Sequence, residues 1–311
     1  MRPKVGQNTL SASSVQKIQQ QTNNTTVNQT AKQTVTMSGK LIVLITGGNT
    51  GLGLEAVKAL CKTDTAYEII IGCRSASKGE SAIETVKKEL PDTKSTLSFV
   101  EVDLASDVVI KKAFDEVSSK HGQLDILINN GGAGFDKEIQ AGELSIREAW
   151  NKSWDTNVAG TQVMTSTFIP LLLKSSEPRL LFVTSGTSTL TETEIFDNPV
   201  LARINASPEA GWPKPKELNP ISSYRSSKTG LNMAMREWHR ILKNDGVKVC
   251  CISPGFLATG LAGIGTEQLK KVSVHALVRS NNSLTESIDG RKGSFRGWQF
   301  HQGRGSGQAG S

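Results

Sequence analysis

Six short apolar runs alternate with longer amphipathic stretches along the middle of the chain, and this alternation constrains the fold more than any other feature. The apolar runs are Leu41–Thr46, Glu68–Gly72, Leu97–Val102, Leu124–Asn129, Leu180–Ser185 and Val247–Ile252. The stretches with helical spacing are residues 52–63, 77–90, 106–121, 143–174 and 221–243. Continuous apolar strands separated by helices are typical of a parallel sheet that helices cover on both faces. The sequence therefore predicts a single α/β domain with a doubly wound parallel sheet.

The two ends of the chain differ from this pattern in composition. Residues 1–36 include 21 Gln, Asn, Ser or Thr side chains, and residues 290–311 include seven glycines. Such segments bury too little apolar surface to offset the entropy lost on ordering. We therefore predict a disordered extension at 1–36, the folded domain at 37–278 and a low-complexity basic tail at 279–311.

Charge and composition exclude several classes of protein. The formal charge of +7 comes from the ends, since residues 1–36 hold four Lys or Arg and no acid, and residues 279–311 hold five against two acids. A neutral folded domain gives no support for nucleic-acid binding beyond the charge of the tails. No apolar run reaches the roughly 18 residues of a membrane-spanning helix. The four cysteines and four histidines show no metal-ligand spacing. We expect a cytoplasmic protein with reduced thiols, no metal, and no nucleic-acid or membrane partner.

A glycine-rich turn follows the first predicted strand and opens the first predicted helix. It reads Thr46-Gly47-Gly48-Asn49-Thr50-Gly51-Leu52-Gly53. Glycines there allow a tight turn and a close approach of the backbone to a pyrophosphate, which the free N–H groups of the helix then bind. Glycines also make ordinary strand-to-helix turns, but the position favours a Rossmann-like dinucleotide site.

The residues after the next strands bear on which cofactor is bound. The second strand is followed by Arg74, without the carboxylate that usually binds the ribose hydroxyls of NAD. Arg74 either binds a 2′-phosphate, which favours NADP, or is a solvated loop cation. Asp103 either accepts a hydrogen bond from adenine or starts the helix at 106–121. Asn130 either lies beside the cofactor ribose or bridges neighbouring strands.

Four polar residues form a candidate catalytic group. Tyr224 and Lys228 are four positions apart in a helical stretch, which places phenol and ammonium on one face. A nearby cation lowers a phenol pKa, and such a phenol gives a proton to a carbonyl oxygen or takes one from an alcohol. Ser185, at the end of the fifth predicted strand, is placed to hold that oxygen, and Asn157 to anchor a water beside Lys228. Each residue alone is more often a surface or turn residue; together they favour catalysis.

With these residues the sequence resembles the short-chain dehydrogenase/reductase family. Thr46–Gly53 matches its TGxxxGxG turn, and Asn129–Gly132 is similar to its NNAG motif with Gly131 in place of Ala. Asn157, Ser185, Tyr224 and Lys228 fall on its Asn-Ser-Tyr-Lys tetrad. The resemblance covers about residues 40–265. The resemblance implies that Leu52 lies against the cofactor and that Asp103 contacts its adenine. It implies that Tyr224 donates the proton, and that Lys228 binds the nicotinamide ribose and lowers the tyrosine pKa. Leu257 and Thr259 would contact the carboxamide.

The stretch between Ser185 and Tyr224 is long and resembles the carbonyl-reductase-like branch of that family. We expect residues 186–220 to form a lid or pocket wall, unless they are only a packing loop. In that branch such an insertion covers the helix face used for tetramer assembly, which implies a monomer or weak homo-oligomer.

After Lys271 the substrate-covering helix and seventh strand of the family are not evident. Because of this departure from the family pattern, the sequence leaves two alternative functions open for the protein. The first is an oxidoreductase that transfers a hydride between NADP(H) and a carbonyl or secondary alcohol. The second is a catalytically impaired NADP(H)-binding sensor or regulatory protein.

Overall fold

A six-stranded parallel sheet forms the centre of the protein in the computed structural model, which describes residues 39–197, 199–214 and 221–254. Its strands are β1 (Leu41–Thr46), β2 (Tyr67–Cys73), β3 (Thr96–Glu101), β4 (Ile126–Asn129), β5 (Arg179–Val183) and β6 (Lys248–Ile252). They lie in the order β3-β2-β1-β4-β5-β6, and every neighbouring pair is parallel. The predicted doubly wound sheet is therefore confirmed, with strand ends that shift by one or two residues.

Helices connect the strands. They are α1 (Gly51–Cys61), α2 (Ala76–Glu89), α3 (Asp107–His121), α4 (Asp136–Ala141), α5 (Ile146–Trp154), α6 (Thr161–Leu172), α7 (Pro199–Asn205) and α8 (Ser222–Ile241). A π-helical turn, Asp155–Gly160, joins α5 to α6, and short 3₁₀ turns follow β5 at Gly186–Ser188 and Thr191–Glu194. All of these elements belong to one compact unit that begins at Lys40.

The core lies on both faces of the sheet, which explains why the strands are apolar at successive positions. In β1, Ile42 and Leu44 pack into one apolar cluster, while Val43 and Ile45 pack into the other. Successive side chains of a strand point to opposite faces, so a strand covered by helices on both sides has no solvent-facing positions. All four side chains are 5% exposed or less.

The predicted single helix at 143–174 is wrong in detail. Ser145 and Glu148 form a capping box that starts α5, so residues 143 and 144 precede the helix. The helix then widens into the π turn. A Cβ on Gly160 would lie 1.9 Å from the backbone oxygen of Leu104, so this turn packs backbone against backbone. Helical periodicity alone does not reveal a widened turn, because the buried positions keep a helical spacing through it.

The strand order reverses beside β1, whose neighbours β2 and β4 lead to opposite halves of the sheet. In doubly wound sheets a crevice opens at such a point, outside the carboxyl ends of the strands. The turns after β1, β2 and β4 therefore meet at this edge.

Several sequence predictions lie outside the described residues. These are the extension at 1–36, the tail at 279–311, and the positions of Leu257 and Thr259. Within residues 39–197, 199–214 and 221–254, no helix has the length and apolar character needed to cross a bilayer.

Candidate active site

The glycine turn after β1 has a backbone that a ligand can approach closely. Gly47 and Gly51 have φ of 65° and 53°, in the left-handed region that favours glycine. A Cβ on Gly53 would lie 2.2 Å from the oxygen of Gly47, so only glycine fits there. The N-cap residue Thr50 makes no side-chain capping bond, and the first turn of α1 has no acidic residue. These features fit an anion at the helix N-terminus, where amide groups and the helix dipole favour negative charge.

Thr46 and Asn130 bind each other across the crevice. Thr46 Oγ1 accepts hydrogen bonds from the backbone N–H groups of Asn130 and Gly131, at 3.1 and 2.8 Å. In return, the Asn130 side chain donates to the backbone oxygens of Thr46 and Gly47, at 2.9 and 3.3 Å. The alternative in which Asn130 bridges neighbouring strands is therefore what the structure has. The side-chain amide of Asn130 holds the glycine turn in place by these hydrogen bonds. Direct contact of Asn130 with a cofactor stays a prediction.

The other predicted turn residues are near the same edge. Asn49 and Leu52 are partly exposed on the glycine turn, and Leu52 also packs against the apolar cluster below it. Arg74 is exposed directly after β2, whose Gly72 accepts a hydrogen bond from Gly48 at 3.2 Å. The end of β2 and the glycine turn are thus adjacent.

Asp103 shapes a turn and does not cap a helix. Its Oδ1 accepts a hydrogen bond from the N–H of Ala105 at 3.0 Å. The N-cap of α3 is instead Ser106, whose side chain accepts from Val109 at 3.4 Å. The suggestion that Asp103 starts this helix is therefore wrong by three positions, and its contact with adenine stays a prediction.

Asn157 is fixed in the π turn by its two-way bond to Ala133. Its Oδ1 accepts from the Ala133 N–H at 2.8 Å, and its Nδ2 donates to the Ala133 oxygen at 2.7 Å. Nδ2 also donates to Ser227 Oγ on α8, at 2.9 Å. Asn157 is fully buried, so it joins the segment after β4 to α8.

Lys228 is on the same side of α8 as Tyr224, as the i, i+4 spacing predicts. Its Nζ is 5.9 Å from the centre of the Tyr224 ring. The ammonium donates a hydrogen bond to the backbone oxygen of Val183 at 2.9 Å. A Cβ on Gly132 would lie 2.9 Å from Asn157 Oδ1 and 3.2 Å from Lys228 Nζ, so these two polar groups border the same space.

Ser185 follows β5 instead of ending it. Its Oγ accepts from the Thr187 N–H at 3.2 Å and lies 2.9 Å from Thr187 Oγ1, so it caps the 3₁₀ turn. Tyr224 is partly buried, with its ring against Gly134, where a Cβ would lie 3.4 Å away. Its hydroxyl makes no hydrogen bond to any residue in the described part of the chain. Both side chains keep bonding capacity for a substrate oxygen.

Burial shifts both titratable groups of this pair. Burial raises the pKa of Tyr224 to about 12, which is the opposite of the direction predicted from the sequence. Burial also lowers the pKa of Lys228 to about 8. Desolvation disfavours a charge on either group, and an ammonium 5.9 Å from the ring centre does not overcome it. In this structure Tyr224 is therefore a protonated phenol at neutral pH.

Asp136 contacts the same helix and was missed by sequence reasoning. Its carboxylate accepts from the Ser223 N–H and Ser223 Oγ, both at 2.8 Å, and from the Tyr224 N–H at 3.0 Å. Nothing in the local sequence marks it, since it is an acid in the first turn of the short helix α4, 88 positions before Tyr224.

Arg225 holds the insertion against α8. Its guanidinium donates to the oxygens of Thr187 and Ile204 and to Asn205 Oδ1, at 2.7, 3.3 and 3.0 Å. Arg225 therefore holds the first 3₁₀ turn and the end of α7 against α8, whereas residues 206–213 of the insertion are exposed. Whether it touches substrate stays a prediction.

Comparisons with known proteins show the family to which the chain belongs. Residues 41–195 match the family model described as short chain dehydrogenase. The chain is 47% identical to the short-chain dehydrogenase/reductase tropE of Talaromyces stipitatus over 225 residues, which is 72% of this chain and 81% of that protein. It is 51% identical to the short-chain dehydrogenase/reductase eupG of a Phoma species over 225 residues, or 71% of this chain and 79% of that one.

A solved structure supports the fold. NADPH-bound carbonyl reductase from chicken fatty liver superposes with a TM-score of 0.58, at 20% identity, over 73% of this chain and 84% of that chain. Identity at this level shows the fold alone. Taken with the two fungal relatives, which match along most of their length, these findings establish that the chain belongs to the short-chain dehydrogenase/reductase family of oxidoreductases.

Proposed function

We propose that this protein is an NADP(H)-dependent carbonyl reductase, transferring a hydride between the nicotinamide and a ketone, aldehyde or secondary alcohol. The observation that carries the proposal is the arrangement of α8. A buried ammonium, that of Lys228, lies 5.9 Å from the centre of a phenol ring whose hydroxyl is unengaged in the described residues. Asn157 reaches this helix through Ser227.

The residues present fit a dinucleotide. The N-terminus of α1, with Gly47, Asn49, Gly51, Leu52 and Gly53, would hold the pyrophosphate, and Thr46 and Asn130 keep that turn in shape. Arg74 would bind the 2′-phosphate of NADP, and Asp103 the adenine. The carbonyl reductase from chicken fatty liver, which has the same fold, is described as NADPH-bound. When bound, the cofactor supplies or accepts the hydride at its nicotinamide ring.

The chain's own residues manage the proton and the substrate oxygen. In reduction, the carbonyl carbon takes the hydride, the carbonyl oxygen takes the proton of the Tyr224 hydroxyl, and the products are the alcohol and NADP⁺. Ser185 holds the oxygen by a hydrogen bond. Lys228 offsets the charge left on the phenolate, and Asn157 keeps the segment after β4 against α8. A phenol that is protonated at neutral pH suits donation to a carbonyl.

A kinetic assay tests this proposal. Purified protein is mixed with NADPH and a panel of aldehydes, ketones and quinones, and the loss of NADPH absorbance is followed. We expect turnover by the wild type and a loss of at least about a hundredfold in Tyr224→Phe. The chain has two tyrosines, so Tyr67→Phe in β2 is the matched control and should keep wild-type turnover.

Two outcomes would contradict the proposal. Equal turnover by the wild type and Tyr224→Phe would remove Tyr224 as the proton donor. Binding of NADPH without reduction of any carbonyl would instead support the sensor or regulatory function.

A further inference from the structure

We propose that Asp136 is a positioning residue for Tyr224, one that fixes the first turn of α8 and with it the position of the phenol. This inference rests on the proposed function and adds a residue to it. Asp136 does not need to touch substrate or cofactor, because it acts through the backbone of the helix that carries Tyr224.

Within the residues that the structure describes, the first turn of α8 has no cap from its own segment. Ile221 occupies the N-cap position and provides no side-chain hydrogen bond. Asp136 supplies this cap from the other side of the site, with one oxygen on the Ser223 N–H and the other on Ser223 Oγ and the Tyr224 N–H. A carboxylate suits the place, since helix N-terminal N–H groups favour negative charge.

Burial makes this contact hard to replace. Asp136 is 6% exposed and Ser223 is fully buried. Ser153 on α5 also bonds to Ser223, with the two hydroxyl oxygens 3.1 Å apart. Removing the carboxylate would leave two buried N–H groups without a partner, and the first turn would relax. Because Tyr224 is in that turn, its ring would move relative to Ser185.

The segment 130–136 ties three parts of the site together. Asn130 binds the glycine turn, Ala133 binds Asn157 twice, and Gly134 lies against the Tyr224 ring. Asp136, the last residue of this segment, accepts a hydrogen bond from the backbone N–H of Tyr224. The position of the phenol is therefore set by the same seven residues that hold the glycine turn and Asn157.

Asp136→Asn keeps the shape of the side chain but removes the charge that favours this position at a helix N-terminus. The amide nitrogen of an asparagine does not accept hydrogen bonds, so at least one of the N–H groups of Ser223 and Tyr224 would lose its partner.

The experiment uses Asp136→Asn and Asp136→Ala, with Asp107→Asn as the control. Asp107 lies in the first turn of α3, as Asp136 lies in the first turn of α4, but Asp107 is exposed and Asp136 is buried. For each variant, kcat and KM for an aldehyde of the panel are measured across pH, with the NADPH Kd and the melting temperature. We expect Asp136→Asn to lose about tenfold or more in kcat with its NADPH Kd within about twofold. Its KM for the aldehyde should change less than its kcat, and Asp136→Ala should lose more in kcat than Asp136→Asn.

A second measurement follows the phenol without any turnover. The protein is labelled with 3-fluorotyrosine, and its ¹⁹F spectrum is recorded at neutral pH. With Tyr67→Phe as background, Tyr224 is the sole tyrosine. We expect the ¹⁹F chemical shift of Tyr224 to change in Asp136→Asn, because the ring moves, and to stay unchanged in Asp107→Asn.

The inference is overturned if the ¹⁹F chemical shift of Asp136→Asn equals that of the control. It is also overturned if activity falls only in proportion to the unfolded fraction, with an unchanged kcat for the folded protein. Should Asp136→Ala fail to fold, Asp136→Asn alone decides. Should the wild type reduce no carbonyl, the proposed function fails, and the ¹⁹F spectrum still decides whether Asp136 sets the position of the phenol.

Discussion

The ammonium of Lys228 donates a hydrogen bond to the backbone oxygen of Val183, at 2.9 Å. Val183 is the last residue of β5 and lies two positions before Ser185, so the bond ties α8 to the sheet next to the candidate site. Lys228 is 3% exposed, and burial lowers its pKa to about 8. Carrying this charge therefore costs the folded protein stability, with a dependence on pH that can be measured.

The pH dependence of stability should reveal the buried ammonium. Because the folded-state pKa of Lys228 is below that of an unfolded lysine, the unfolded chain binds more protons between about pH 8 and 10.5. The contribution of Lys228 to the free energy of unfolding should rise with pH there, while the four cysteines, whose thiol pKa values burial raises, contribute in the opposite direction. This group alone should add about 2 kcal/mol between pH 7.5 and 9.5, by urea denaturation. Both pH values are below about pH 10, where Tyr224, whose pKa is raised in the folded protein, starts to lower the free energy of unfolding.

Replacing the lysine should remove this contribution. Lys228→Met keeps most of the side-chain length without the charge, so between pH 7.5 and 9.5 its free energy of unfolding should fall by about 2 kcal/mol relative to that of the wild type. Lys88→Met, at an exposed position of α2, serves as the control and should keep the wild-type dependence on pH. The same pH dependence in Lys228→Met and the wild type would show that Lys228 is not buried as an ammonium.

Asn157→Ala should destabilise the protein by about 2–4 kcal/mol, because it leaves the N–H and C=O of Ala133 without their partner. Urea denaturation measures the change. Asn151→Ala, at an exposed position of α5, should cost less than about 0.5 kcal/mol. Equal effects from the two substitutions would contradict a bridging role for Asn157.

Gly53→Ala should disrupt the glycine turn. Alanine normally favours a helix over glycine by about 1 kcal/mol, but here its Cβ would lie 2.2 Å from the Gly47 oxygen. We expect NADPH affinity to fall by more than about tenfold, measured by fluorescence titration, because the turn must open. Gly39→Ala, where a Cβ would meet no atom within 4 Å, should bind NADPH as the wild type does. Unchanged affinity in Gly53→Ala would remove this turn as the pyrophosphate site.

Arg74→Asp should shift the cofactor preference toward NADH. A carboxylate after β2 repels a 2′-phosphate and accepts hydrogen bonds from ribose hydroxyls. The ratio of kcat/KM for NADPH to that for NADH should fall by at least about tenfold. Arg147→Asp makes the same charge change at an exposed position of α5 and should leave the ratio unchanged. If both variants keep the wild-type ratio, Arg74 does not select NADP.

Most of the architecture was predictable because it depends on patterns that repeat locally. A strand buried on both faces must be apolar at successive positions, and so all six strands were recognised within two residues. The i, i+4 spacing likewise sufficed to place Lys228 beside the ring of Tyr224. The π turn at Asp155–Gly160 escaped because its buried positions, Asn157 and Gly160, keep the spacing of three or four residues that a continuous helix has.

The elements that carry the candidate residues were predictable from the sequence, and the surroundings of those residues were not. The sequence alone determined the order of strands and helices along the chain and the place of the glycine turn, because both depend on local patterns, while the tetrad of Asn157, Ser185, Tyr224 and Lys228 stays a prediction. Tertiary structure decided that Asp136 caps the helix of Tyr224 and that Asn130 faces Thr46. It also decided that the Tyr224 pKa rises, since contacts between distant segments and the loss of water around a side chain exist only once the chain has folded.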